Sequence, residues 1–156
     1  MVQKYGILVL TYLGKGPLLR ILIADDHEAV RKGVCAILGS RVDVEVCGEA
    51  EDGKEAIEKA NALKPDLIIL DITMPVLSGF DAAREIRKTL PHIPILILSM
   101  HESNQLIEEA KKIGVQGFVT KTQVGSTLLL GVDTLLRNQT FFPERTHSAD
   151  AMLRQA

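Results

Sequence analysis

The stretch "DLIILDITMP", residues 66–75, decides the fold. Leu67 to Leu70 is a run of four apolar residues, two of them β-branched isoleucines. Such a run reads as a strand buried on both faces, which is the situation of a strand in a parallel sheet. The run stops on Asp71, a bare carboxylate, and Pro75 follows four positions later. A core strand that ends on a charge needs a reason.

Working outward from it, short apolar runs alternate with stretches of helical period. "LLRILIAD" (18–25) reads as a first strand, "VDVEVCGE" (42–49) as a second, "DLIILD" (66–71) as the third, "IPILILS" (93–99) as the fourth and "GFVTK" (117–121) as a short fifth. Between them Val30, Val34, Ile37 and Leu38 mark one helix face, and Ala56, Ile57, Ala60 and Leu63 mark the next. "SGFDAAREIRKTL" (78–90) opens on Ser78 as a cap, and "SNQLIEEAKKIG" (103–114) runs from a Ser cap to a Gly stop. Leu128, Val132, Leu135 and Leu136 line a fifth helix. Five βα units predict an α/β domain with a parallel sheet covered by helices on both faces. The expected form is flavodoxin-like, (βα)5, with strand order 2-1-3-4-5.

The 156 residues fit one domain, and a net charge of −2 offers no basic face, so no direct nucleic-acid binding is expected of this chain. Aromatics are sparse and Trp is absent, which excludes a stacking platform for single strands. Cys35 and Cys47 show no metal spacing and no CxxC, so they read as two buried thiols in a reducing cytoplasm. Residues 1–18 carry the apolar core "ILVLTYL", short of the roughly 17–25 residues a membrane span needs. No small-residue cleavage site follows it, and no membrane association is expected. The segment reads as an extension, poorly ordered or peripheral: an appended element, a docking segment, or a start placed too far upstream. The expected domain is 19–138, with 139–156 as a C-terminal tail or the start of a linker.

In open parallel sheets ligands bind beyond the carboxyl ends of the strands, where the strand order switches. In the expected order, strand 1 ends in Asp25-Asp26, strand 3 in Asp71, strand 4 in Ser99 and strand 5 in Lys121, so these residues meet. Three close carboxylates repel one another. A hard divalent cation such as Mg2+ takes oxygen ligands and removes the conflict, and Lys121 adds a second positive charge. Asp71 is then ionised and able to attack phosphorus, giving an aspartyl-phosphate. Mg2+, Lys121 and the Ser99 hydroxyl are the groups suited to neutralising phosphoryl oxygens. Pro75 turns the chain away from the strand, and Gly79 is read as giving the loop conformational freedom.

The pieces "ADDHEAVRKG", "LIILDITMPVLSGFD", "ILILSMHE" and "GFVTK", in this order at strand ends, resemble the receiver domain of two-component response regulators. "DDH" and "LSMHE" look most like the NarL/FixJ-type subfamily. The resemblance implies a phosphoacceptor at Asp71. It implies a Mg2+ (or Mn2+) site formed by Asp25, Asp26, Asp71 and the backbone carbonyl of Thr73. It implies switch and phosphate-binding roles for Ser99, for Phe118, which swings inward behind it, and for Lys121. Met100 and His101 are expected to tune the site, Met100 by restricting access. Thr122 stands where many receivers carry Pro, which puts a cis peptide after Lys121 in doubt. The implied partner is a sensor histidine kinase, with a possible homodimer on phosphorylation. The implied output is transcriptional, through a DNA-binding domain absent from this chain, and the chain is expected to be a self-phosphorylating and self-dephosphorylating switch rather than a metabolic enzyme. Whether it is a stand-alone receiver or a truncated protein is open, with "TFFPERTHSADAMLRQ" resembling the start of an interdomain linker.

Two rival readings remain. A haloacid-dehalogenase-type phosphatase also uses an aspartyl-phosphate and Mg2+, but it needs an Asp two residues after the nucleophile, where Thr73 stands. A phosphorylation-independent interaction module on the same fold predicts partner binding that ignores Asp71. Read singly, the acids are ordinary helix caps and loop carboxylates, Lys121 is a surface lysine and Phe118 a core residue. His27 and His101 read as local hydrogen-bonding groups, because Mg2+ prefers oxygen.

Overall fold

The computed structural model describes residues 17–144. Five parallel strands, β1 (Leu19–Ala24), β2 (Val44–Ala50), β3 (Leu67–Asp71), β4 (Ile95–Ser99) and β5 (Gly117–Thr120), form one sheet in the order β2-β1-β3-β4-β5. Helices α1 (Glu28–Gly39), α2 (Gly53–Leu63), α3 (Gly79–Thr89) and α4 (Asn104–Ile113) make the four crossovers, and α5 (Val124–Leu136) follows β5. This is the flavodoxin-like arrangement expected from the alternation of apolar runs and helical stripes. Strand ends fall within two residues of expectation except where Lys121–Gln123 forms a short 3-10 turn after β5.

Alternate residues of each central strand face opposite layers. Ile21, Ile23, Leu67, Ile69, Leu96 and Leu98 pack against α1 and α5 through Val34, Leu38, Leu128, Val132 and Leu135. Leu22, Ala24, Ile68, Leu70, Ile95 and Ile97 pack against α2, α3 and α4 through Ala56, Ala60, Ala83, Ile86, Ile107 and Ala110. All five residues of β3 are buried, as are all five of β4, which is why their sequences lack alternation. Edge strand β2 is half-exposed and keeps its alternating polarity. Its pairing with β1 slips by one residue at Cys47, since Ile21 faces Val46 and Leu22 faces Gly48. Both cysteines are free and half-buried rather than buried. Burial pushes each thiol above its ordinary range, which suits packing rather than nucleophilic use.

The helix caps follow the sequence. Ser78 Oγ accepts from the Asp81 N–H and Ser103 Oγ from the Leu106 N–H, and Gly114 closes α4 at φ 88°. Within residues 139–144, expected to begin a linker, Phe141 bridges to β5 and Phe141 and Phe142 pack onto the core. The Phe118 N–H donates to the Phe141 carbonyl and the Phe141 N–H to the Gln116 carbonyl, both at 2.8 Å. Phe141 packs on the α1 and α5 side and Phe142 on the other, where the Lys111 ammonium lies 5.1 Å from its ring centroid. The aromatic pair, invisible to a helical period, is a strand-like period of two. Residues 1–16 and 145–156, and the expectations for them, lie outside the described residues.

The loop after β3 corrects one expectation. Gly79 does not hold a left-handed backbone; among the described glycines only Gly114 does. Gly79 is needed because a Cβ there would sit 1.8 Å from the carbonyl oxygen of Asp71. Its N–H donates to the Ile72 carbonyl at 2.8 Å, so the first turn of α3 is pressed onto the backbone that carries Asp71. The left-handed position in this loop belongs to Val76, at φ 67°, which costs a β-branched residue about 1–3 kcal/mol. Gly79→Ala should therefore destabilise the fold by about 3 kcal/mol or more, because backbone must move to admit the methyl group. Urea denaturation of the two proteins checks it, and a loss under about 1 kcal/mol contradicts the close approach.

Candidate functional site

Parallel pairing brings the strand ends together in register. Ala24 faces Leu70, so the next residues, Asp25 and Asp71, lie beside each other as β1 and β3 run out. Asp71 faces Leu98 and Ser99 faces Thr120, so Ser99 sits one step beyond Asp71 and Lys121 one step beyond Ser99's neighbour. The strand order thus assembles residues separated by nearly a hundred positions.

Lys121 is the centre of the site. Its ammonium lies 2.7 Å from Asp25 Oδ2 and 3.3 Å from Asp71 Oδ2, with the lysine side chain 7% exposed. Asp25 is fully buried and Asp71 nearly so, at 3%. Asp25 Oδ2 has no well-aligned hydrogen bond, and the ammonium is its compensating charge. Asp25 Oδ1 accepts from the His27 N–H at 2.9 Å, and Asp71 Oδ1 accepts from the Thr73 N–H at a long 3.4 Å. Asp26 is exposed. The His27 ring bridges the acid pair, with Nδ1 3.0 Å from Asp26 Oδ1 and 3.3 Å from Asp25 Oδ1, the local hydrogen-bonding part expected of it.

The charges do not balance. Three carboxylates face one ammonium. Burial, and then the Asp25 charge, push the Asp71 carboxyl above its ordinary range, and Lys121 only partly opposes them. For Lys121, burial favours the neutral amine, but the two carboxylates outweigh it and raise its pKa. Asp25, Asp26, His27 and Asp71 each offer one ligand atom, all within 4.8 Å of one another. Oxygen donors with an uncompensated negative charge fit a hard divalent cation.

Ser99 is buried at the end of β4, and its Oγ accepts from the His101 N–H at 3.2 Å. Met100 is 58% exposed, so most of its side chain stands in water. Phe118 is buried in the core on the side of α2, α3 and α4, three residues before Lys121. Thr73 reaches the site through its N–H. No peptide bond among the described residues is cis, the Lys121–Thr122 bond included.

Sequence reading missed Arg31. It is buried on α1, donates from Nη1 to the Asp25 carbonyl at 2.7 Å, and pairs through Nε with Glu49 and Nη2 with Glu51. The signal was present: Arg31 lies three positions before Val34 and seven before Leu38, on the stripe that should be apolar.

A raised carboxyl pKa in the folded state has a definite consequence for stability. The folded chain holds the Asp71 proton to higher pH than the unfolded chain, so stability falls as pH rises through the folded value. Without divalent cations, Asp71→Asn should melt roughly 2–5 °C higher than the wild type at pH 7. The two melting curves should converge below about pH 4, where the carboxyl is protonated in both states. A variant less stable than wild type at pH 7 contradicts the unbalanced charge.

A family model for the response regulator receiver domain matches residues 21–132. Response regulator protein VraR of Staphylococcus saprophyticus is 35% identical over 124 residues, covering 80% of this chain and 59% of that protein. The chain therefore spans about three-fifths of the length of the curated relatives it matches. Among solved structures, a LuxR-family two-component response regulator from Aurantimonas sp. superposes with TM-score 0.79 at 29% identity, covering 89% of this chain and 99% of the other. The signal receiver domain of the putative response regulator NarL from Mycobacterium tuberculosis gives 0.75 at 30% identity, covering 80% and 100%. With the acid pair, the central aspartate and the lysine all at the carboxyl end of a 2-1-3-4-5 sheet, the chain belongs to the response regulator receiver domains.

Proposed function

We propose that this receiver takes a phosphoryl group onto Asp71 from the phosphohistidine of a sensor kinase and uses it to switch conformation. The observation that carries the reading is the Lys121 ammonium held between Asp25 and Asp71 at the end of the sheet. An Asp71 Oδ attacks phosphorus, the P–N bond of the donor breaks, and the imidazole leaves with a proton from solvent. The Lys121 ammonium already reaches both Asp25 and Asp71, so it stands ready for the phosphoryl oxygens that the acyl phosphate adds. The Thr73 N–H is poised on Asp71 Oδ1 and holds the carboxylate orientation. Ser99 supplies a hydroxyl donor one residue beyond the strand pair. A divalent cation, Mg2+ or Mn2+, bound by Asp25, Asp26, Asp71 and the Thr73 carbonyl would supply neutralisation of the phosphoryl charge.

The switch follows from charge. Phosphorylation adds a dianionic group where one carboxylate stood, and favours whichever conformation brings Ser99 and Lys121 to it. Phe118 moves with Ser99 in this reading, and its place in the core beneath Lys121 supports the coupling. Met100 and His101, directly after Ser99, are the residues that would set how readily water reaches the acyl phosphate. The chain acts as a self-modifying switch, not as a turnover enzyme. In this reading the output is transcriptional, the partner after phosphorylation is a second copy of the chain, and the setting is cytoplasmic; relatives described as response regulators, one of them of the LuxR family, are in keeping with a signalling role. Among the described residues no helix is long and apolar enough to cross a membrane.

Intact mass after incubation with a small acyl phosphate tests the chemistry. One phosphoryl adduct should form with Mg2+, fall at least tenfold without it, be absent from Asp71→Asn, and be lost in base. Continuous release of phosphate from a phosphomonoester would instead move the phosphatase reading forward. No adduct under any condition would favour the interaction module.

A further inference from the structure

Arg31 is a buried cation beside a site that should attract cations. A guanidinium there opposes the entry of a metal ion unless it does something that outweighs its charge. Its contacts say what that is. Nη1 donates to the backbone carbonyl of Asp25 at 2.7 Å, while the Asp25 N–H is held by the Ala50 carbonyl at 3.0 Å. The peptide that joins Asp25 to Asp26 is thus fixed through its oxygen by a side chain. That peptide lies past the end of β1, where no strand ladder reaches it. Its orientation decides where the Asp26 carboxylate points.

The other two guanidinium nitrogens are occupied by carboxylates from the far end of β2. Nε meets Glu49 at 3.1 Å and Nη2 meets Glu51 at 3.3 Å. These acids are themselves tied down. Lys59 of α2 donates to the Glu49 carbonyl, and Glu55 accepts from the Glu51 N–H at 2.9 Å while pairing with Lys59 at 2.6 Å. Two glutamates therefore offset the charge of Arg31, and the fork of the guanidinium joins α1, the end of β1 and the end of β2.

We propose that Arg31 is a positioning residue for the cation-binding acid pair: it locks the Asp25–Asp26 peptide so that both carboxylates face one ion. This inference rests on the metal-dependent reading of the site given above. It makes a prediction opposite in sign to simple electrostatics. Removing a positive charge near three carboxylates should tighten cation binding. Losing the lock on the peptide should weaken it, and the groups that orient metal ligands typically matter by about 10- to 100-fold in affinity.

Mn2+ titration of the chain, followed by the electron paramagnetic resonance of free Mn2+, reads this directly without any phosphorylation. Arg31→Met should bind Mn2+ about tenfold more weakly than wild type. Arg31→Lys, which keeps the charge and one donor but loses the fork, should fall between them. Circular dichroism establishes which variants fold, and should Arg31→Met fail to fold, Arg31→Lys decides. A folded variant that binds Mn2+ as well as wild type, or better, overturns the proposal even if its melting temperature is lower, since that is the signature of a purely structural arginine. A wild type that binds no Mn2+ but still accepts phosphoryl overturns the metal-dependent reading and this inference with it, while Asp71 as phosphoacceptor stands. A wild type that does neither overturns the phosphoacceptor reading as well.

Discussion

One ammonium between two buried carboxylates holds the site, and the topology exists to bring it there. Asp25, Asp71 and Lys121 come from β1, β3 and the turn after β5, so no local segment can form the cluster. Only when all three strands lie in register do the distances of 2.7 and 3.3 Å arise. The contact is a poor source of net stability, because taking three charges out of water costs about as much as their attraction returns. Removing Lys121 alone would nevertheless leave two buried carboxylates unopposed. The interaction is therefore better seen as a condition the rest of the fold must satisfy than as something that drives folding.

The apolar strands do the driving. The central strands β3 and β4 are buried along their whole length, and their side chains fill the layers on both sides of the sheet. That burial fixes where each strand stops, and the stops are where the polar groups sit. The loop after Asp71 is held the same way. The first turn of α3 presses on the Asp71 carbonyl through Gly79, and the chain reaches that contact by forcing Val76 into a left-handed conformation. Strain in an exposed loop is tolerated so that backbone can approach Asp71 closely. The Asp71 carboxylate is left with a long hydrogen bond from the Thr73 N–H on one oxygen and the Lys121 ammonium at 3.3 Å from the other.

The sequence carried the sheet almost completely, since a doubly buried strand has no other reason to read as an unbroken apolar run. Helix stripes and serine caps located α3 and α4 to within a residue. Asp25, Asp71 and Lys121 were legible because each is a polar residue ending an apolar run, and strand order then dictates that they meet. What escaped was of two kinds. Arg31 interrupts an apolar stripe, and a lone charge there reads as a helix turned slightly toward water; only the fold brings it the Asp25 carbonyl from β1's end and the Glu49 and Glu51 carboxylates from around the end of β2. Phe141 and Phe142 lie outside any helix, and two residues are too few to announce a period of two. The role of Gly79 was misread for a related reason. Sequence says that a glycine is present, but whether backbone freedom or a missing Cβ is needed depends on what stands 1.8 Å away.

The acid pair divides its work by burial. Asp25 is sealed in and its charge is met by Lys121 from within the protein. Asp26, next in the chain, is exposed and meets no lysine or arginine among the described contacts, only the His27 ring. If every carboxylate were ionised, three negative charges would lie beside one ammonium; burial first, and the Asp25 charge second, raise the Asp71 pKa, and Lys121 offsets them only in part. Adding a second lysine would have relieved it, but would have left nothing for a cation or a phosphoryl group to do. A site that is quiet by itself would not respond to either. The imbalance makes the fold slightly less stable at neutral pH and makes anything that neutralises the site a stabilising ligand, by an amount that grows with its concentration. In this sense the destabilising charge on Asp71 and the responsiveness of the domain are the same physical fact.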